Sequence, residues 1–191
     1  MATTKPGERK LQILQTLAAM LENPKGEKIT TAALAAKVDV SEAALYRHFA
    51  SKAQMFEGLI DFIETTVFGL INQISDQQEN GLAQAQAITA MLLNFAERNP
   101  GMTRVMIGDA LVNEDERLQT RMNQFIERIE LALKQALRVA VTQNQLKEEE
   151  VAARANLIVS MVIGRWHRFA KSGFKQSPSE GLQAQVKLML A

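Results

Sequence analysis

The sequence predicts an all-α fold, and three observations support that prediction. All four prolines, at positions 6, 24, 100 and 178, lie where the helical spacing of apolar residues lapses. The long stretches between those positions repeat apolar residues every three or four positions, which is the period of an α-helix. No run of alternating apolar and polar residues is long enough to predict a β-strand.

Length and composition restrict the class of protein. A chain of 191 residues suits one compact unit and can bury enough surface to fold without a disulfide or a metal. Because the chain contains no cysteine, a disulfide framework, a cysteine-ligated zinc site and a thiol nucleophile are excluded. No apolar run reaches the length of a transmembrane helix, and the first residues lack the apolar core of a signal peptide. We therefore expect a soluble cytoplasmic protein.

Helical spacing and end signals predict nine helices. Their ranges are 8–23, 31–37, 41–48, 52–75, 81–98, 102–111, 115–141, 147–172 and one within 178–191. The first should turn Leu11 and Leu17 inward before Pro24 ends it. The fourth opens with a capping box, in which Ser51 and Gln54 can satisfy two free N–H groups. The fifth stops ahead of the proline at 100, since the residue before a proline leaves the helical region.

The last long helices carry the most apolar surface. The seventh has the cleanest amphipathic pattern in the chain. The eighth has two apolar stripes, one that includes Val151 and Ile158 and a second formed by Leu157, Met161 and Gly164. A helix that is apolar on more than one face must bury more than one face. It is therefore either a central core helix or, as we favour, a helix that packs on its own subunit and on a second copy.

Residues 29–49, ITTAALAAKVDVSEAALYRHF, have the dimensions of a helix-turn-helix motif, because two short helices with a turn between them follow the first helix. Thr30 or Thr31 is the expected cap of the first short helix, and Ser41 is that of the second. Asp39 occupies the turn, where a left-handed backbone is often needed and Asp is tolerated better than most residues.

The second short helix divides into an inner apolar face, at positions 45 and 49, and an outer face. On the outer face Arg47 can pair with guanine or phosphate, and Glu42 can accept a hydrogen bond from cytosine. Tyr46 and His48 can donate to phosphates, and Lys52 begins the next helix, whose N-terminus favours an anion. The alternative is a helical hairpin that binds no ligand, since short helix pairs are common.

The stretch from position 30 to position 52 resembles the DNA-binding signature of the TetR-type transcriptional regulators, most specifically in the Leu-Tyr-x-His-Phe-x-x-Lys string at 45–52. The resemblance implies a three-helix DNA-binding domain over 1–51 and a helical dimerisation core over 52–191. The sequence departs from the family pattern at Asp39, where Gly is usual, and at Ala50. With the helix caps included, the candidate DNA-binding residues are Thr30, Thr31, Ser41, Glu42, Ala43, Ala44, Tyr46, Arg47, His48 and Lys52.

A narrower resemblance, carried by SEAALYRHF, SKAQMFEGLIDFIE, NFAERNPGMTRVMIGDAL and ERLQTRMNQFIERIE, is to the bacterial nucleoid occlusion factors. It implies a homodimer that binds palindromic sites in chromosomal double-stranded DNA at the nucleoid and antagonises assembly of the division protein FtsZ. A ligand-responsive repressor of the same fold is the main alternative, and a helical scaffold that binds only protein is a third.

A partner groove is predicted between the fourth and fifth helices. Phe62 lies at the margin of the apolar stripe of the fourth helix, and the other candidates belong to the fifth helix and its end: Met91, Asn94, Arg98 and Asn99. If the helices are adjacent, they form a groove suited to a short peptide tail that is apolar and acidic. Core packing of the apolar residues and a simple helix cap at Asn99 are equally consistent with the sequence.

The sequence predicts neither an enzyme nor a cofactor. The two histidines, His48 and His167, lie far apart and lack companions for a metal site or a nucleophile–base pair. A set of methionines and aromatics at helical spacing is interpreted as core and not as a ligand pocket. It comprises Met91, Phe95, Met102, Met106, Met122, Phe125 and Trp166.

The net charge of +1 argues against a nucleic-acid partner only until its distribution is considered. Residues 1–55 hold 8 lysines and arginines against 5 acids, while the rest of the chain holds 14 against 16. The predicted DNA-binding end is therefore basic, and a dimer would present that end twice.

Overall fold

The computed structural model describes residues 6–23 and 29–190, and within these ranges all regular structure is helical. The helices are α1 (Pro6–Leu21), α2 (Thr31–Val38), α3 (Glu42–Tyr46), α4 (Lys52–Gln77), α5 (Gly81–Arg98), α6 (Pro100–Met106), α7 (Glu116–Thr142), α8 (Glu148–Lys171) and α9 (Leu182–Leu190), with a 3₁₀ turn at Asp109–Leu111. The predicted all-α fold is confirmed. Among the described helices, none combines the length and apolarity that crossing a bilayer requires.

The predicted helix over 102–111 is wrong in its second half. The α-helix α6 ends at Met106, and a 3₁₀ turn follows after Gly108. Gly108 has a φ of 78°, a left-handed conformation that interrupts an α-helix and that glycine adopts without steric cost. After this break Asp109 pairs with Arg104 of α6, and Glu114 pairs with Lys52 of α4.

The inner face of α1 also differs from the prediction. Leu11 is 49% exposed, whereas Ile13 is fully buried together with Leu17 and Leu21. The buried residues follow one another at four-residue intervals, and Leu11 lies two positions from Ile13. Two positions on a helix are about 200° apart, so the two side chains cannot share a face.

The capping box at the start of α4 forms with one change. The Ser51 hydroxyl accepts a hydrogen bond from the backbone N–H of Gln54 (3.1 Å), as predicted. The Gln54 side chain, however, accepts from the backbone N–H of Ala50 (2.9 Å) and not from that of Ser51. Both bonds still satisfy backbone donors at the point where the chain enters α4.

The C-terminal helices share one core. Helix α5 packs against α7 and α8, and α7 packs along α8. Trp166 of α8 is fully buried, and its indole N–H donates to the carbonyl of Leu92 in α5 (3.3 Å). The aromatic and methionine set interpreted as core is buried at Phe95, Met106, Met122, Phe125 and Trp166 and partly buried at Met91 and Met102.

Helix α1 is tied to the core by a close crossing with α6. A Cβ on Gly101 would overlap the backbone carbonyl of Ala18, so the helices approach as far as glycine allows. Three positions later, Arg104 donates to the carbonyls of Leu21 (3.2 Å) and Asn23 (3.3 Å) at the end of α1. These contacts fix where the N-terminal helices sit on the rest of the molecule.

A row of ion pairs, which we call the α4–α7 seam, joins two of the longest helices. Arg117 pairs with Glu57 (3.1 Å), and Arg121 pairs with both Asp61 and Glu64 (2.8 Å to the latter). Farther along, the guanidinium of Arg128 lies 3.8 Å from the ring centroid of Phe68, which meets Phe125 edge-on. The seam therefore combines charge pairing, cation–π contact and aromatic packing.

The crossing of α1 and α6 yields a stability prediction. We expect Gly101→Ala to destabilise the protein by about 1–3 kcal/mol, because the added methyl group forces α1 away from α6. Gly69→Ala in α4 is the matched control: its new Cβ meets nothing within 4 Å, and alanine favours helix by about 1 kcal/mol. Chemical denaturation should give shifts of opposite sign, and equal shifts would contradict the role assigned to Gly101.

Candidate nucleic-acid interface and partner groove

The helix-turn-helix geometry is built by local hydrogen bonds. Thr30 caps α2 by accepting from the backbone N–H of Ala33 (3.1 Å), and Ser41 caps α3 by accepting from that of Ala44 (3.2 Å). Between them Asp39 has φ 57° and ψ 52°, the left-handed conformation predicted for the turn. The structure therefore assigns Thr30 and not Thr31 as the cap of α2.

The two faces predicted for α3 are both observed. Leu45 is fully buried and Phe49 nearly so, and together they hold α3 against the other N-terminal helices. The outer face is exposed at Glu42, Ala43, Tyr46 and Arg47, while Ala44 and His48 are half-buried. An aromatic ring and two short side chains therefore stand beside a cation on one surface.

Two of the candidate DNA-binding residues are engaged with each other. The hydroxyl of Thr31 at the start of α2 donates to the carboxylate of Glu42 at the start of α3 (2.7 Å). This bond aligns the N-termini of the two helices and leaves the second carboxylate oxygen of Glu42 available. Arg47, by contrast, forms no salt bridge with any residue that the structure describes.

Among the candidate DNA-binding residues, Lys52 has the surroundings that differ most from those expected of a side chain that contacts a DNA phosphate. Its ammonium forms an ion pair with Glu114, which lies 62 positions later in the turn before α7. The two side chains are only 21% and 12% exposed. Sequence reasoning missed this partner because no local pattern connects the two positions.

The five residues predicted for a partner groove do line one groove. It lies between α4 and α5, has a volume of about 620 Å³, and contains Phe62, Met91, Asn94, Arg98 and Asn99. Phe62 is 44% exposed. The alternative of plain core packing therefore does not hold for Phe62. Asn99 does act as the helix cap that the other alternative predicts, since its side chain donates to the carbonyl of Phe95 at the end of α5 (2.8 Å).

Sequence reasoning missed half of the groove lining. Thr66 and Leu70 extend the row begun by Phe62 along α4 at four-residue intervals, and this spacing could have identified them. On α5 the additional residues are Ala87, Ala90 and Phe95. The alanines form a shallow floor, so the groove is mostly apolar and closes on polar groups at one end.

The polar end of the groove is cationic. Arg98 is exposed at the last position of α5 and forms no salt bridge within the part of the chain described by the structure. Its neighbour Glu97 turns away and accepts a hydrogen bond from the hydroxyl of Ser179 (2.6 Å). Hydrogen bonds from Ser177 and Ser179 hold the pKa of Glu97 below its ordinary value. The charge of Arg98 also lowers that pKa, so the two side chains lie within electrostatic reach, but they form no salt bridge and the guanidinium of Arg98 is open to an anion.

The second apolar stripe of α8 lies on the outside of the subunit. Leu157 is 51% exposed, and a Cβ added to Gly164 would meet nothing within 4 Å. Small residues of α8 that are also exposed include Ala153 and Ser160, and on α9 Ala184 and Leu188 are exposed. The first stripe, with Val151, Ala155, Ile158, Val162 and Phe169, is buried in the subunit core.

No cluster of three or more potential metal ligands occurs in the described ranges. His48 is half-buried beside the helix-turn-helix, and His167 is exposed on α8, so the structure does not bring the two together.

Family models match two parts of the chain. Residues 26–59 match the bacterial regulatory proteins of the tetR family, and residues 79–191 match a tetracyclin repressor-like C-terminal domain of the SlmA-like type. The first range contains both short helices and the start of α4, and the second begins just before α5.

Curated relatives match over nearly the full length. The chain is 52% identical to the nucleoid occlusion factor SlmA of Idiomarina loihiensis, with 95% of this chain and 93% of that protein covered. It is 47% identical to the nucleoid occlusion factor SlmA of Aliivibrio fischeri, with coverage of 100% and 98%.

Solved structures share the fold at low sequence identity. The TetR family transcriptional regulator PfmR from Thermus thermophilus superimposes with a TM-score of 0.73 at 21% identity, covering 93% of this chain and 96% of that one. The fatty acid degradation regulator FadR from Bacillus halodurans gives a TM-score of 0.78 at 12% identity, with coverage of 94% and 97%.

Proposed function

The chain belongs to the tetR family, in the group that includes the nucleoid occlusion factors SlmA, and from that premise we propose that it is itself a nucleoid occlusion factor. It binds palindromic sites in chromosomal DNA as a homodimer and, over the nucleoid, antagonises assembly of the division protein FtsZ. Residues 1–51 form its DNA-binding domain, and residues 52–191 form the core for dimerisation and partner binding. The observation that carries the proposal is the sequence identity of 52% and 47%, over nearly the full length of the chain, to relatives of that name.

DNA binding is supported by the outer face of α3. Ala43 and Ala44 leave room for the edge of a base pair, and Arg47 presents an exposed guanidinium without a salt-bridge partner in the described ranges. Arginine pairs with the O6 and N7 acceptors of guanine in the major groove. Tyr46 and His48 flank that position and donate to phosphates, which sets the register of the helix on the duplex.

Arg47→Ala should weaken binding to the cognate palindrome by about 5- to 150-fold, because one base contact is worth roughly 1–3 kcal/mol. The measurement is fluorescence anisotropy of a labelled palindromic duplex at one fixed salt concentration. Arg138→Ala is the matched control, since it removes an exposed arginine that lies near the C-terminal end of α7 and not on α3. If both variants lose affinity equally, α3 is not the recognition helix.

Dimerisation is supported by the exposed stripe of α8. A palindrome has two equivalent half-sites, so a two-fold symmetric protein matches it with two copies of α3. The stripe combines Leu157 with small residues that allow close helix approach, while the first apolar stripe of α8 is already buried in its own subunit. Two stripes packed about a two-fold axis would cover each other and the exposed Leu188 of α9.

Leu157→Glu should raise the dimer dissociation constant by roughly 100-fold or more, since it buries an unpaired carboxylate twice in one interface. Leu131→Glu is the control: Leu131 is 61% exposed on α7, outside the stripe. Sedimentation equilibrium of both variants measures the effect. A Leu157→Glu protein that sediments as the parent dimer does would exclude this face as the interface.

Capture of FtsZ is supported by the groove between α4 and α5. Its apolar lining suits the side chains of an extended or helical peptide, and Arg98 at its end suits a carboxylate. We therefore assign the groove to a short segment of FtsZ that is both apolar and acidic. DNA raises the local concentration of the dimers over the nucleoid, where the captured segment is withheld from assembly.

Phe62→Ala and Arg98→Ala should each reduce inhibition of FtsZ assembly, while affinity for the palindrome stays within about 2-fold of the parent, because neither residue lies on α3. Light scattering of FtsZ polymers in the presence of DNA-saturated protein measures the first effect, and anisotropy measures the second. Leu131→Ala removes an apolar side chain outside the groove that is 61% exposed, against 44% for Phe62, and should inhibit as the parent does. Full inhibition by both groove variants would remove the groove from the mechanism.

A further inference from the structure

The ion pair between Lys52 and Glu114 has a consequence for DNA binding. Lys52 is the first residue of α4, and its ammonium is bound by the carboxylate of Glu114. Glu114 is itself held in place, since its backbone N–H donates to the carbonyl of Leu111 (3.0 Å). The ammonium also lies 5.7 Å from the ring centroid of Phe56. The cation is thus partly buried between a fixed acid and an aromatic ring.

A DNA phosphate would need the same ammonium. An exposed lysine at the start of a helix can meet a phosphate, because the charge and the helix N-terminus both favour an anion. Here a carboxylate already occupies that position, and both side chains are largely shielded from water. Two anions therefore compete for one cation, and a carboxylate that stayed in place would repel the incoming phosphate.

The Glu114 carboxylate can move away from Lys52 without detaching α4 from α7. Arg117 and Arg121 in the first turns of α7 pair with Glu57, Asp61 and Glu64 of α4, beyond the first turn of that helix. These contacts hold α4 on α7 whether or not Lys52 is bound to Glu114. The exchange of a carboxylate for a phosphate is therefore a local event at the start of α4.

We propose that Glu114 is an internal competitor of the DNA backbone for Lys52 and thereby lowers the affinity of the protein for all DNA. The proposal rests on the proposed DNA-binding function and on Lys52 as one of its phosphate contacts. Because phosphates are common to every sequence, Glu114 weakens binding to specific and non-specific duplexes by the same factor. Removing the Glu114 carboxylate therefore changes the affinity for DNA and leaves the preference for one DNA sequence over another unchanged.

The test compares Glu114→Gln with Glu116→Gln. Glu116 is two positions away, exposed at the first position of α7, and forms no salt bridge in the described ranges, so its variant removes the same charge without freeing Lys52. Each protein is titrated by anisotropy at one salt concentration with the palindromic duplex and with a scrambled duplex of equal length. Glu114→Gln should tighten binding to both duplexes about 3- to 30-fold, and Glu116→Gln by no more than about 2-fold.

A double-mutant cycle with Lys52→Met makes the test specific. Lys52→Met should weaken binding, and Glu114→Gln added to it should tighten binding by a clearly smaller factor than in the parent, because only the repulsion between carboxylate and phosphate is then removed. The double variant removes both members of the pair, so it leaves no unpaired charge that would prevent folding. Tightening by Glu114→Gln that is equally large with and without Lys52, or equal effects of the two glutamine variants, would overturn the proposal.

Failure of the premise is distinguishable from failure of the inference. If the parent protein does not bind the palindrome more tightly than the scrambled duplex, the proposed function fails. If the parent binds specifically and Lys52→Met binds equally well, the inference is overturned through Lys52 while sequence-specific DNA binding stands.

Discussion

The packing of α4 against α7 is the constraint on which the other parts of the structure depend. Helix α4 carries Lys52 at its start, immediately after the helix-turn-helix, and Phe62 in the groove about 15 Å farther along its axis. Its orientation is set by its buried apolar face, which includes Phe56, Leu59 and Ile63, and by the α4–α7 seam, in which Arg121 takes part. Hydrogen bonds to Glu64 and Asp61 raise the pKa of Arg121 above its ordinary value in spite of its partial burial. Arg121 thus adds a charged contact to the packing of the helix that both candidate sites share.

Both candidate sites are built partly on α4, so a movement of α4 relative to α5 that followed DNA binding would change the groove as well. The opposite side of the groove resists such a change, because Glu97 of α5 is anchored to Ser179 in the segment between α8 and α9. Binding free energies at coupled sites are reciprocal, so a peptide in the groove would alter DNA affinity by the same factor as DNA alters peptide affinity.

Local signals in the sequence predicted most of the fold, and contacts between distant residues account for what it could not predict. Helix ends followed from caps such as Ser41 and from prolines, and the left-handed turn followed from Asp39, because these effects act within a few residues. Helical spacing alone predicted that Phe62 lies at the margin of the apolar stripe of α4. The same spacing failed for Leu11, since apolar residues on both sides of α1 fit a helical period. The partner of Lys52 could not be predicted, because only the tertiary fold brings Glu114 to it.

The structure also shows why net charge is a poor guide to the partners of this chain. Most cations of the core are paired with acids and contribute little to the field at a distance; they include Arg104, Arg117, Arg121, Lys134, Arg138, Arg154 and Lys171. In the described part of the N-terminal helices, Lys37 and Arg47 form no salt bridge. Asp39 and Glu42 are also exposed there and form no salt bridge in the described part, so the charge around α3 is mixed, and the cation that a phosphate meets on α3 itself is Arg47. Lys52 adds a second cation at the start of α4, and its pairing with Glu114 decides how much of that charge a phosphate meets.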